Sequence, residues 1–182
     1  MSIENATRTI KEMLKQRKYK ISSEEDSKIV GTRMKRKIVV YITNIDKFNS
    51  EKTHEYINKL NNEGFNHGII VYNNLITSSA KKILQNLPFE SKDDIIKMKI
   101  ELFQINELQF NITKHRLQPI FYLLTSKENA EFKEKFGTKI PILLTNDAIA
   151  RFFNYKTGDI IRTTNKKTGY VRFRIVKKAA IS

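Results

Sequence analysis

An α/β amino-terminal domain followed by a small α+β module is the fold class this sequence predicts, and three observations carry it. Short apolar, β-branched runs at residues 37–43 (KIVVYIT), 68–72 (GIIVY) and 98–103 alternate with stretches of helical periodicity. That alternation gives way beyond Thr113 to shorter elements of another order. The charge changes at the same place. Residues 1–113 hold 19 Lys and Arg against 14 Asp and Glu, a net of +5, whereas residues 114–182 hold 15 against 5, a net of +10. The boundary is therefore set at residues 1–110 and 111–182.

Taken in order, residues 4–18 place Ile10, Met13, Leu14 and Arg17 at helical spacing, an amphipathic helix with a basic far side. Residues 22–27 are polar and acidic and read as a loop. The run at 37–43 reads as a buried strand. Tyr56, Ile57 and Leu60 then recur on one face of a helix over 50–62, with Ser50 as its N-cap and Gly64 placed to end it. The strand at 68–72 leads to Thr77 or Ser78, which caps a helix running to Leu87 and stopped by Pro88. A third strand covers 98–103. Strands joined by helical crossovers make a parallel sheet, and near-continuous apolar strands fit one covered on both faces. Residues 1–110 thus read as a three-layer domain with a short, mostly parallel sheet.

In the second part, Thr125 or Ser126 caps a helix over 125–136 that Gly137 ends. Residues 146–153 form a second short helix with Asp147 in its first turn. Strands at 159–162 and 170–176 are joined by a turn over 163–169, and along the last strand Arg172 and Arg174 point outward, Phe173 and Ile175 inward.

The 182-residue chain holds 34 Lys and Arg against 19 Asp and Glu, a formal net of +15, which suggests a polyanionic partner. No apolar run approaches the ~18 residues of a membrane helix, and the charged N-terminus does not read as a signal peptide. Cysteine is absent, which excludes disulfides and thiol catalysis and agrees with an intracellular protein. His54, His67 and His115 lie in no metal-ligand spacing, and neither GxGxxG nor GxxxxGK[ST] occurs, so no metal and no cofactor is expected. Asp93 and Asp94 with Lys99 and Glu101 loosely imitate a magnesium nuclease cluster, since Lys99 and Glu101 share a strand face at i, i+2; the plain alternative is a solvated strand end. The sharpest local chemistry is the stretch Asn74 to Lys82. There an apolar strand ends, Thr77, Ser78 and Ser79 open a helix, and Lys81 and Lys82 follow in its first turn. Free N–H groups, hydroxyls and cations together suit phosphate, although simple capping by Thr77 or Ser78 accounts for the hydroxyls as well.

Five segments, in order, resemble the small shared subunit five of eukaryotic RNA polymerases, whose C-terminal part corresponds to a small subunit of the archaeal enzyme. They are Arg8-Thr9-Ile10-Lys11-Glu12-Met13 with Arg17 and Tyr19; Gly68 to Tyr72 with Asn74-Leu75-Ile76-Thr77-Ser78-Ser79-Ala80; Asn111-Ile112-Thr113-Lys114-His115 with Leu117 and Pro119; Ile140-Pro141 with Asp147 to Phe153; and Gly169-Tyr170 with Phe173-Arg174. The resemblance implies a non-catalytic subunit. Its N-terminal jaw domain would lie near the downstream DNA duplex, and its C-terminal assembly domain would dock on the largest polymerase subunit beside neighbouring small subunits. It implies DNA-proximal roles for Asn74, Thr77, Ser78, Ser79, Lys81 and Lys82, and an assembly interface at His115, Pro119, Asp147, Arg151, Phe152, Tyr170 and Arg174. The chain departs from the family pattern at Ser78 and Ala148, where the family has Pro, at Arg116 for Glu, at Ile142 for Arg, and in a shortened, basic turn at Asn165-Lys166-Lys167-Thr168. This drift suggests a divergent polymerase, nuclear if cell-encoded, and virion and cytoplasmic if virus-encoded. The competing reading is a stand-alone nucleic-acid-binding protein or small magnesium nuclease on the same α/β core.

Overall fold

A computed structural model describes residues 2–87 and 98–179. The chain folds as two compact units that divide after Phe110. Pro88, the expected stop of the third helix, and Asp93 and Asp94 of the expected acidic cluster lie outside the described residues.

The first unit opens with helix α1 (Ile3–Gln16), whose Ser2 hydroxyl accepts the Asn5 N–H at 3.3 Å. Strands β1 (Lys20–Glu25), β2 (Lys28–Arg33) and β3 (Arg36–Ile42) follow, then the two-residue strand β4 (Lys47–Phe48) and helix α2 (Ser50–Asn62). Strand β5 (His67–Tyr72), the short β6 (Leu75–Ile76), helix α3 (Ser78–Gln85) and strand β7 (Lys99–Gln104) complete it. A 3₁₀ turn, Ile105–Leu108, closes the unit.

The main sheet has the order β1-β2-β3-β5-β7. From β3 to β7 it is parallel and crosses over through α2 and α3, as the alternation predicts. The other two pairings, β1 with β2 and β2 with β3, are antiparallel. The sheet is therefore mixed, not mostly parallel, and residues 22–27 are largely strand and its turn, not loop. The reason is that β1 (KISSEE) is exposed along its whole length. An edge strand with no buried face carries no apolar alternation, so nothing in its sequence separates it from a loop. Asn49, not Ser50, caps α2 through its side-chain oxygen, which accepts the Lys52 N–H at 2.9 Å.

Three layers result. On one face of the sheet, Val39, Tyr41, Ile70 and Tyr72 pack with Tyr56, Ile57 and Leu60 of α2 and Ala80 of α3. Strand alternation sends Ile38, Val40, Ile42, Ile69, Val71 and Phe103 to the opposite face, where they are also buried. Helix α1 covers that face with Ala6, Ile10, Met13 and Leu14, all fully enclosed. Gly68 is where α2 lies closest to the sheet, for a Cβ there would sit 2.9 Å from both methyls of Leu60.

One polar contact joins α1 to the sheet. The Arg17 guanidinium donates two bonds of 2.9 Å to the two carboxylate oxygens of Glu101. His67 Nε2 lies 2.5 Å from Oε1 of the same group. Glu101 stands beside Ile69 in the β5–β7 register, so it shares the α1 face with His67 two residues back along β5. Burial by itself raises the Glu101 pKa, but the Arg17 charge and the hydrogen bonds from His67 and Arg17 outweigh it and hold it at about 2.

The second unit has a four-stranded sheet where two strands were expected. It comprises β8 (Ile120–Leu123), helix α4 (Ser126–Phe136), β9 (Ile142–Leu144), helix α5 (Ala148–Phe153), β10 (Ile160–Thr164) and β11 (Val171–Lys177), in sheet order β8-β10-β11-β9. Thr125 caps α4 in a capping box with Glu128. Leu143, Ile149, Ala150, Tyr155, Ile161 and Val176 form the core under α5. Leu124, Ile160 and Ile175 form a second cluster with Phe132 of α4 and Phe173. Both faces of β11 are thus partly covered, while Arg172 and Arg174 stay exposed. Strands β8 and β9 escape sequence reading because they are three or four residues long and largely exposed, too short to show a period.

Removing Arg17 leaves a buried carboxylate with only His67 of the two partners described above. Arg17→Ala is expected to lower the opening free energy of the sheet centre by about 3–5 kcal/mol, read as amide hydrogen exchange at residues 69–71 at neutral pH. The folded pKa of Glu101 lies below the ordinary 4.5. Its contribution is therefore complete above about pH 4.5 and fades as pH falls toward about 2. The difference between wild type and Arg17→Ala should be largest at neutral pH and shrink as pH falls through that window.

Candidate nucleic-acid and assembly surfaces

The turn at Thr77 sits beyond the carboxyl ends of the parallel strands, the edge where open α/β sheets present their binding loops. Its position is set by a small auxiliary pairing that the residue pattern alone does not reveal. Strands β4 and β6 run parallel, Lys47 beside Leu75 and Phe48 beside Ile76. The Thr77 N–H donates to the Phe48 carbonyl at 3.0 Å, and the N–H groups of Asn73 and Leu75 donate to Ile45 and Asp46 carbonyls, each at 2.8 Å. Asn74 donates through its side chain to Asp46 Oδ1 at 3.1 Å, and its own carbonyl accepts from Gln104 Nε2 at 2.8 Å. Phe48, fully buried, ties the auxiliary pair to the core.

Thr77 is the N-cap of α3, its hydroxyl accepting the Ala80 N–H at 3.2 Å. Ser78, Ser79, Lys81 and Lys82 are exposed, as is Asn74. The capping role and an exposed row of hydroxyls and cations thus coexist in one turn. Ser78 occupies the first helical position, where proline is favoured because the N–H there has no helical acceptor. Serine keeps that N–H as an additional donor beside the two lysines. Ala148 likewise stands at the first position of α5, so both Pro-to-non-Pro departures fall where the helix tolerates them.

In the second unit three of the seven singled-out residues serve the fold itself. Phe152 is buried in the α5 core, edge-on to Phe153 with ring centroids 5.3 Å apart. Asp147 caps α5, its carboxylate accepting the Ile149 N–H at 2.8 Å. His115 ends the 3₁₀ turn Ile112–Lys114, its Nδ1 accepting the Leu117 N–H at 3.3 Å. These three shape the backbone. Arg151 and Pro119 are half-buried, and Tyr170 and Arg174 are exposed. Two cation–aromatic contacts lie on opposite faces of the sheet, Arg162 over the Tyr122 ring at 4.7 Å and Arg172 over Tyr170 at 5.2 Å. Ile120, Leu123, Ile142 and Val171 are each more than 40% exposed. The basic turn begins at Asn165, whose side-chain oxygen accepts the N–H groups of Lys167 and Thr168 at 2.9 and 3.0 Å.

Glu101, the carboxylate that suggested a nuclease, is the buried partner of Arg17 and His67. Both of its oxygens are engaged, and Lys99 is exposed at the strand's start. No group of three His, Cys, Asp or Glu placed to hold a metal ion occurs among the described residues.

Residues 110–176 match the family described as RNA polymerase Rpb5, C-terminal domain. This span is nearly the whole second unit, which is thus similar to that domain. Relatives that match more of the chain carry names of the same kind. A protein of Invertebrate iridescent virus 6, provisionally named DNA-directed RNA polymerase subunit 454R, is 41% identical over 120 residues, 59% of this chain and 60% of its own. The subunit rpabc1 of RNA polymerases I, II and III from Dictyostelium discoideum is 29% identical over 76% of this chain and 71% of its own. Subunit 5A of RNA polymerase V from Arabidopsis thaliana is 29% identical over 77% and 61%. The chain thus spans about three-fifths to seven-tenths of the length of these three relatives. A crystal structure of a protein of unknown function overlaps 74% of this chain and 77% of its own at 14% identity, with a TM-score of 0.42.

Thr77→Ala should cost ~1 kcal/mol of stability in the first unit through loss of the cap, whereas Lys81→Ala/Lys82→Ala should leave thermal unfolding unchanged. Differential scanning calorimetry of the three proteins separates the capping hydroxyl from the exposed cations.

Proposed function

We propose that this chain is a non-catalytic subunit of a multisubunit DNA-directed RNA polymerase. The first unit serves as a jaw near downstream DNA, and the second anchors the chain to the largest polymerase subunit and its small neighbours. The observation that carries the reading is the match of the second unit, over almost its whole length, to the Rpb5 C-terminal domain. The exposed aromatic and apolar residues of its sheet support an anchoring role, since such groups gain most from burial against a partner. Charge supports the jaw role. Phosphate contacts of the kind Ser78, Lys81 and Lys82 offer position a duplex without reading its bases. The relatives come from cells and from a virus, and the polymerase would act in the nucleus if cell-encoded and in the virion and cytoplasm if virus-encoded.

A stand-alone magnesium nuclease is the weaker reading, because its central carboxylate is neutralised by Arg17 inside the fold. Purified chain with magnesium is expected neither to cleave DNA nor to polymerise nucleotides. Cleavage abolished by Lys99→Ala would overturn the subunit reading.

Affinity purification of tagged chain followed by mass spectrometry should recover the large polymerase subunits. Arg151→Ala should reduce that recovery with little change in folding, and residues 111–182 should be incorporated where residues 1–110 are not. In assembled polymerase, Lys81→Ala/Lys82→Ala should flatten the dependence of log K for DNA on log salt by up to ~2, at about 0.9 per phosphate lost. An unchanged salt dependence of complex lifetime would remove the DNA role of this turn.

A further inference from the structure

The end of the first unit's sheet opposite the Thr77 turn carries a second feature that the subunit reading does not use. Strands β2 and β3 are joined by a two-residue turn, Met34-Lys35, of which only Met34 has a positive φ, at 52°. A hairpin turn of that pattern ordinarily has glycine at its first central position, because a side chain there is strained. Met34 is instead 98% exposed. A large apolar side chain is thus held in a conformation that favours glycine, at a tip where it packs against nothing. A local rule broken with no gain in packing points to function.

The surroundings of the tip carry one sign. Lys35, Arg36 and Lys37 lead into and begin β3, and Lys20 on β1 and Lys37 on β3 flank Thr32 from either side in the sheet register. Lys18, also at positive φ, follows α1. All five cations are exposed. The Arg33 guanidinium donates to the Arg17 carbonyl at 3.1 Å, which pins the hairpin against the end of α1. The acidic residues of these strands, Glu24 and Glu25, sit opposite Ile29 and Lys28, roughly 13 Å or more along the strand from Lys20 at about 3.3 Å per residue.

We infer that the β2–β3 hairpin tip is a nucleic-acid contact in which the five cations meet the phosphates of a duplex and Met34 enters the groove between them. The shape decides against a peptide. Recognition by strand addition needs a free sheet edge, and β2 and β3 are each paired on both sides. The tip is a convex, positive projection about the width of a two-stranded ribbon, the form a major groove admits. An apolar side chain at the tip of such a projection can pack on the thymine methyl groups that line that groove.

The test uses the full chain and a fluorescent mixed-sequence DNA duplex of about two helical turns, titrated at several salt concentrations. It needs no polymerase, so its outcome is independent of whether the chain assembles as proposed. Lys35→Ala/Arg36→Ala/Lys37→Ala should flatten the slope of log K against log salt by up to ~2.7, at about 0.9 per phosphate contact. Met34→Gly should leave the slope unchanged and weaken binding several-fold, while its melting temperature stays the same or rises as strain is relieved. Binding lost while stability is kept or gained is a signature that a structural role for Met34 cannot produce. An unchanged slope in the triple variant, or no binding by wild type at low salt, overturns the inference. So does a triple variant that loses affinity for labelled polyglutamate but not for the duplex. Unchanged affinity in Met34→Gly overturns the role given to the methionine.

Discussion

The bidentate pair between Arg17 and Glu101 is the constraint on which the amino-terminal unit depends. It joins the first helix of the unit to its last strand across 84 residues of chain. A buried carboxylate without a counter-ion would be far more costly than any single apolar contact nearby is favourable. The pair is therefore satisfied in only one placement of α1 on the sheet. Apolar contacts alone would let the helix slide or rotate, since Ile10, Met13 and Leu14 fit many grooves of similar width. His67, on the neighbouring strand β5, completes the set.

With α1 placed, the rest of the unit follows as two ends of one sheet. The carboxyl ends of β3, β5 and β7 present the Thr77 turn, stiffened by the β4–β6 pairing and by Asp46. The opposite end presents the β2–β3 hairpin, braced through Arg33 on the very residue that holds Glu101. Both ends carry exposed cations on rigid backbone. A polyanion meeting either would lose little entropy in ordering the protein, which is the physical advantage of building such contacts on strands and helix starts.

The carboxy-terminal unit solves another problem. In about seventy residues it divides its core into two small clusters on the two faces of a four-stranded sheet. That leaves apolar and aromatic side chains at the sheet's edges exposed. A domain of this size buries a smaller fraction of its surface than a larger one does and has little stability to spare. Exposed apolar and aromatic side chains of this kind gain most from burial against another surface.

Much of this was legible in the sequence where an element is buried on both faces or carries its own cap. The runs KIVVYIT and GIIVY announce central strands because hydrophobic burial selects residue types directly. Thr77, Thr125 and Asp147 mark helix starts because capping is a local hydrogen bond, made within three residues. The motifs shared with polymerase subunit five were likewise readable as an ordered set. What depends on distant partners was not. β1 is polar along its length and becomes a strand only because β2 lies beside it. β4 and β6 are two residues each and exist only as a pair. Glu101 read as a solvated strand end or a loose imitation of a metal site until the fold set Arg17 against it. Met34 looks like any turn neighbour until its backbone angle and exposure are known. Sequence by itself determined what each residue prefers over a few neighbours; only tertiary structure decided which charges meet, because pairing across 84 residues is a property of chain topology and not of local composition.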